Sequence, residues 1–219
     1  MKKNIELFAS IIVWFAVLAQ FYLMIINRQA GIIETIVRFF SFFTILTNTL
    51  VALYFTSKAF KLKKFPFSIF HNTGALTAIT TFILIVGLVY QIALRGIWQP
   101  TGFQYLIDEL LHSIVPLWVL IYWFMNVAKF DLKFKSVSYW ILYPICYLLF
   151  VLIRGHFSGF YPYPFLNISI IGYLDTFQNI GLIIFLFLFI LALLVFLGKK
   201  LPRNRGIESN TNYGFLLIY

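Results

Sequence analysis

The sequence predicts an all-α membrane protein, a bundle of six transmembrane helices with both termini in the cytoplasm. Three observations predict it. Of the 219 residues, 62% are hydrophobic and 11% are charged, whereas a soluble domain averages about 45–50% apolar and about 25% charged. Six apolar runs are each about long enough to cross a bilayer as a helix, which takes roughly 20 residues. The basic residues gather on alternate sides of those runs. A β-barrel would show spans of about 10 residues with alternating polarity, and these longer, uniform runs are not that.

The spans are expected at 7–26, 39–56, 72–94, 110–127, 137–153 and 172–197, the fifth being the shortest. They form a single domain over 1–201, followed by a cytoplasmic tail over 202–219 that is polar and then apolar. The first run has the look of a signal peptide: Lys2 and Lys3 precede it, and Val17-Leu18-Ala19 imitates a cleavage site after Ala19. The run continues through Ile26, which is span length and favours an uncleaved first helix. No internal repeat or low-complexity segment is seen, and no linker is long enough for a second domain.

Charge sets the orientation. Lys2 and Lys3 precede the first span. Lys58, Lys61, Lys63 and Lys64 fill the second loop, and Lys129, Lys133 and Lys135 the fourth. Lys199, Lys200, Arg203 and Arg205 follow the sixth. The opposite side holds only Arg28, Arg38, Arg95 and Arg154. Cytoplasmic loops carry the excess of Lys and Arg, so both termini read as cytoplasmic and the location as the plasma membrane. The net charge of +10 therefore reports topology and not a nucleic-acid partner. The one cysteine, Cys146, lies inside an apolar run. It can form no internal disulfide and belongs to no metal motif.

Polar residues concentrate towards the outer ends of the spans. In the second, Thr44 lies about five residues deep, with Thr47, Asn48 and Thr49 beyond it. The fourth begins with Asp108, Glu109 and His112. The sixth carries Asp175, Gln178 and Asn179 in its first turns. The third and fifth end near Gln91 and near Arg154 and His156. Thr44 and Asn48 share a helix face at i, i+4, as do Asp108 and His112, and Asp175 and Asn179. Ionisable groups inside a bilayer cost about 2.5–3.5 kcal/mol each on insertion scales and usually face the bundle or a wet cavity. The pattern predicts a polar cavity with lipid-like walls, opening outward or laterally.

Each of these residues also has a structural reading. A membrane threonine commonly bonds its own i−4 carbonyl or a neighbouring helix. Asp108 and Asp175 can cap helix starts. Trp98, Tyr161 and Tyr163 suit the bilayer interface as anchors.

A hydroxyl beside an imidazole is the minimum for nucleophilic acyl transfer, because the hydroxyl needs a base. A neutral histidine, with a reference pKa near 6.5, can take the proton and return it to the leaving alcohol. Asp108, one turn before His112, is placed to orient the ring. Asn48 or a nearby tyrosine can donate to an oxyanion. A cavity open to lipid suits a substrate with acyl chains.

Three stretches, RFFSFFTILTNTLVAL, DELLHSIVPLWVL and YPYPFLN, resemble the androgen-induced and androgen-dependent family of integral-membrane threonine hydrolases, most closely a bacterial six-span branch. The resemblance covers most of the chain, with the spans in matching order. It implies a catalytic threonine in the second span and a histidine in the fourth, acting on fatty acid esters of hydroxy fatty acids or related acyl esters. The matching residues are Thr44, in Phe43-Thr44-Ile45, and His112, followed by Ser113 and Pro116; Thr47 is the next candidate. The family's animal members carry an amide and a second histidine where this chain has Asp108 and Glu109, and their proline comes one residue later. For the bacterial branch the resemblance implies no established substrate.

The expected partners are membrane lipids and an acyl-chain substrate, and neither the residues nor the resemblance calls for a cofactor. Other readings stay open on sequence alone. His112 and His156 with Asp108, Glu109 or Asp175 are residue types that suit zinc, though without a ligand motif. A carrier or lipid-binding protein would use the same outer cavity without catalysis, although repeated halves and midplane sites, common in transporters, are not seen. Asn167-Ile168-Ser169 is a glycosylation-type tripeptide on the expected outer side.

Overall fold

A computed structural model describes residues 2–128 and 132–201, with Phe134 and Lys135 described by backbone only. Lys129, Arg203, Arg205 and the 202–219 tail lie outside the described residues. The protein is helical, with no strand among the described residues. Several helices are long and apolar enough to cross a membrane.

Helix α1 (Lys2–Ile26) runs unbroken past Ala19. Helix α2 (Ile32–Phe39) is short and amphipathic. Helix α3 (Phe43–Ala59) follows at an angle of 68° to it. Helix α4 (Ala75–Val89) continues into a π turn over Tyr90–Leu94. Helix α5 (Gly102–Glu109), a second π turn (Leu110–Ile114) and α6 (Val115–Asn126) form one continuous rod. A short α7 (Phe134–Ser138) leads into α8 (Leu142–Ser158), and α9 (Ile168–Lys200) closes the bundle.

Two spans differ from their sequence expectations. The apolar run from Phe39 is broken at Phe42, whose extended backbone turns the chain between α2 and α3. No Pro or Gly marks this break, so it reads as continuous in the sequence. The fourth rod starts at Gly102 and not near residue 110. Asp108 is therefore no helix cap: it lies inside the rod and is 5% exposed. Asp175 caps nothing either, because Asn167 caps α9 by accepting the Ser169 N–H at 3.1 Å. Gly172, at φ +79°, kinks α9 just after its start, a conformation that favours glycine.

Helix α4 is buried along nearly its whole length. It packs against α3, α6 and α9 around Phe55, Phe82, Ile79 and Trp123. The opposite surface is apolar as well. Ile11, Phe15, Leu18 and Tyr22 form an exposed stripe on α1, and Leu182, Phe185 and Phe189 do so on α9. Such a surface suits lipid contact. Helix association then rests on close packing and buried hydrogen bonds more than on the hydrophobic effect.

The start of α1 and the ends of α3 and α6 meet at one face of the bundle. Ser10 bonds Thr56 at 2.7 Å, Tyr122 donates to Glu6 at 2.6 Å, and Thr73 donates to Ser136 at 3.1 Å. At the other face Gln104 donates to Gln20 at 2.8 Å, and Arg154 donates to Glu34 at 2.8 Å. The candidate site lies at this second face.

Candidate active site

Thr44 sits in the first turn of α3, where backbone N–H groups lack helical partners. Its N–H donates to the Tyr163 hydroxyl at 3.3 Å. Its hydroxyl lies 3.3 Å from His112 Nε2 and 3.4 Å from the Tyr163 hydroxyl. Residues 68 and 119 positions away thus meet at one buried oxygen.

His112 owes its position to the second π turn. Pro116 cannot donate to the His112 carbonyl, and its ring crowds that carbonyl in a regular helix. The chain widens instead, and the Val115 N–H donates to the Leu110 carbonyl. The backbone of α4 comes close here: a Cβ on Gly87 would lie 3.1 Å from the His112 carbonyl oxygen and 3.2 Å from Pro116 Cβ. The imidazole stacks on Tyr90, from the first π turn, with ring centroids 4.1 Å apart and planes 12° apart. π turns recur at functional sites because they re-aim side chains within a helix.

The tautomer of His112 follows from its partners. Nδ1 lies 2.9 Å from the Asp108 carbonyl oxygen, which can only accept, so Nδ1 carries the proton. In the neutral ring Nε2 is then the acceptor, and it faces Thr44. Asp108 Oδ1 lies 3.4 Å from Nδ1 and accepts from Trp98 Nε1 at 3.3 Å. A carboxylate so placed favours the imidazolium that forms when the ring takes a proton. The arrangement is a hydroxyl, a base aimed at it, and a group that orients the base.

Tyr163 is delivered by the loop between α8 and α9. Gly159 at φ +69° ends α8, and Tyr161 folds back over Gly155. Tyr163 stacks on Phe165 at 5.1 Å and meets Phe42 edge-on at 5.8 Å. Asn179 on α9 donates to the Phe165 carbonyl at 3.1 Å. Arg154 and Arg38 both lie over the Phe160 ring, at 4.8 and 4.4 Å, and Glu34 accepts from both guanidiniums. Those arginines, Arg38 first, hold the Glu34 carboxyl below its usual range, although burial opposes them. Burial pushes the Tyr163 phenol up, so it stays protonated at neutral pH.

Two cavities meet at this point. One, of about 650 Å³, is partly polar and includes Thr44, Asp108, His112, Tyr163, Gln20 and Arg28 in its wall. The other, of about 200 Å³, is nearly all apolar and lies between α4, α8 and α9. Thr44, Tyr163 and Leu94 belong to both walls.

The remaining sequence candidates lie elsewhere. Asn48 is no oxyanion donor: its amide is committed to the carbonyls of Thr44, at 2.9 Å, and Leu111, at 3.3 Å. It ties α3 to the second π turn. Thr47 bonds the Tyr143 hydroxyl at 3.0 Å. Glu109 pairs with Arg95 and accepts from Ser113 at 2.6 Å. His156 and Asp175 are exposed, and Asn179 braces the loop. None of these six lines either cavity. Among the described residues no three of His, Cys, Asp or Glu gather as a metal site would require.

On sequence alone Trp98 and Tyr163 suit the bilayer interface, and nothing marks Tyr90. Their roles depend on long-range packing. The stretch YPYPFLN carries part of the resemblance but marks no role for Tyr163. In comparisons with known proteins, no family model, curated protein or solved structure matches this chain.

Proposed function

We propose that the protein is a multi-pass integral-membrane hydrolase that cleaves acyl esters of lipids with Thr44 as nucleophile and His112 as base. The observation that carries this reading is the 3.3 Å approach of the Thr44 hydroxyl to an unprotonated His112 nitrogen at the junction of two cavities. Thr44 Oγ1 attacks the ester carbonyl carbon while its proton passes to Nε2. The Tyr163 hydroxyl donates to the developing oxyanion. Collapse breaks the bond to the alcohol oxygen, which takes the proton from Nε2. Water, deprotonated by the same nitrogen, then attacks the acyl-threonine; the bond to Oγ1 breaks, Oγ1 takes the proton back from Nε2, and the acid is released. Asp108 stabilises the imidazolium in both halves. No cofactor enters these steps.

The reading extends to topology. Six spans cross the plasma membrane, with α3 serving as the second, and both termini are cytoplasmic. The gathering of Lys2, Lys3, Lys58, Lys199 and Lys200 towards one face supports this orientation. Helix α2 then lies along the outer interface, its exposed Ile32, Ile33, Ile36 and Val37 in lipid. The partners are membrane lipids and the acyl substrate. Reconstituted protein should turn over a panel of acyl esters and react with a fluorophosphonate probe. Absence of both, or activity that survives Thr44→Ala and His112→Ala, refutes the assignment.

A second reading, a lipid carrier or binding protein without catalysis, draws on the 650 Å³ cavity. Lipid uptake by proteoliposomes without hydrolysis would favour it.

A further inference from the structure

The two cavities that share Thr44 differ sharply in chemistry. The smaller is walled by Val86, Val89, Ile145, Leu148, Ile184 and Phe187, together with other apolar residues. From Leu94 to Ile85 it follows α4 for about 14 Å at 1.5 Å per residue. Its inner end abuts an aromatic floor, where Phe187 stacks on Phe82 at 6.0 Å and Phe82 meets Tyr143 at 4.9 Å. The larger cavity exposes Gln20, Asn27, Arg28, Gln29 and Gln104. Its acidic wall residue, Asp108, is engaged by Trp98 and His112.

An ester has two arms on either side of its carbonyl, and the attacked carbon must sit against Thr44. We infer that the two arms are sorted here: a single unbranched acyl chain enters the apolar cavity, and a polar alcohol moiety occupies the outer one. This inference rests on the hydrolase reading and deepens it. The apolar cavity is partly bounded by lipid-exposed Ile145, Ile184 and Leu188, so a chain can slide in sideways from the bilayer. Lipid is as apolar as that cavity, so filling it gains little from the hydrophobic effect. Selection is therefore steric, and Phe187 at the floor sets the chain length. The alcohol arm, by contrast, leaves an apolar medium for one with amide and guanidinium donors, and a polar alcohol gains hydrogen bonds there.

The test is the labelling of the full-length protein in proteoliposomes with alkyl fluorophosphonates of short, medium and long chain. Fluoride leaves as Thr44 Oγ1 bonds to phosphorus. Ile184→Trp, a change at a lipid-exposed wall position, should lower the long-to-short ratio of labelling rates by about tenfold or more, the scale on which apolar pockets discriminate single methylenes. Phe187→Ala should raise that ratio. Labelling whose chain-length profile is the same in wild type and both variants overturns the sorting and leaves the hydrolase reading intact. Wild-type protein that never labels counts against the hydrolase itself. A second measurement then judges the cavity without catalysis: decanoate bearing a terminal diazirine, photolysed with the Thr44→Ala protein. Adducts on Val86, Ile145 or Ile184 support the acyl site. Adducts on Gln20, Arg28 or Gln104, or spread evenly over the α1 and α9 lipid faces, overturn it.

Discussion

Helix α3 carries a hydroxyl–imidazole pair at each end, and the two behave in opposite ways. At its N-terminal end Thr44 lies 3.3 Å from His112 Nε2. At its other end Ser57 lies 3.1 Å from His71 Nε2. Distance alone would rank the second pair higher. Its proton logic is reversed, however. His71 Nε2 lies 2.8 Å from the Leu62 carbonyl oxygen, so that nitrogen carries the proton. Ser57 donates to the same carbonyl at 3.0 Å, and Lys58 Nζ lies 3.4 Å from Nδ1. The ring ties down a loop and cannot accept from Ser57. At His112 the carbonyl sits on Nδ1 instead, which frees Nε2 for Thr44. What the far nitrogen binds decides whether such a pair can do chemistry.

Four threonines elsewhere in the helices take the ordinary alternative. Thr56, Thr80, Thr81 and Thr176 each donate to the carbonyl four residues earlier. Thr44 stands in a first turn preceded by a bend of 68°, and its hydroxyl bonds His112 and Tyr163 instead.

The comparison is broken most directly by substitution at both ends. Thr44→Ala or His112→Ala should lower ester turnover by about a hundred- to ten-thousand-fold. Ser57→Ala and His71→Ala should leave turnover per folded molecule at the wild-type level, read after size-exclusion chromatography. A comparable loss from the Ser57 or the His71 variant would remove the distinction between the pairs. Tyr163→Phe removes one candidate oxyanion donor and should lower kcat by about a hundred-fold, with KM little changed.

Asp108→Asn keeps the backbone carbonyl on Nδ1 and removes only the charge. Turnover should fall by about tenfold, less than on losing the base itself. Gly155→Ala drives a methyl into the Tyr161 ring, so the loop must shift. That overpacking should cost about 1–3 kcal/mol of thermal stability. It should also reduce turnover through displacement of Tyr163.

The smallest effect concerns α2. The folded pKa of Glu34 is depressed, so its contribution is present above the unfolded pKa, near 4, and is lost as pH falls through the folded value. Amide exchange over α2 should accelerate in that acid window. Glu34→Gln should show the faster exchange already at neutral pH.

Helical spacing alone paired Asp108 with His112, because residues four apart share a face whatever surrounds them. The alternation of lysines marked the ends that gather at one face, and the apolar run lengths marked the helices. The first threonine of the second span was selected by resemblance, not by spacing, which treats Thr44 and Thr47 alike. Asn48 shares a face with Thr44 as spacing demands, yet its amide turns to two carbonyls. Spacing gives the face of a residue but not its hydrogen-bond partner.

The sequence by itself determined the helical, membrane-suited class of the protein, the grouping of its lysines between alternate apolar runs and the local Asp108–His112 geometry. All three follow from composition or from contacts within one helical turn. Only the tertiary structure decided which hydroxyl meets which imidazole, that Tyr163 joins them, and that a polar and an apolar cavity share Thr44. Those contacts span 68 and 119 residues. They depend on a bend without Pro or Gly and on two π turns whose Tyr90 and His112 rings stack, which no local pattern specifies.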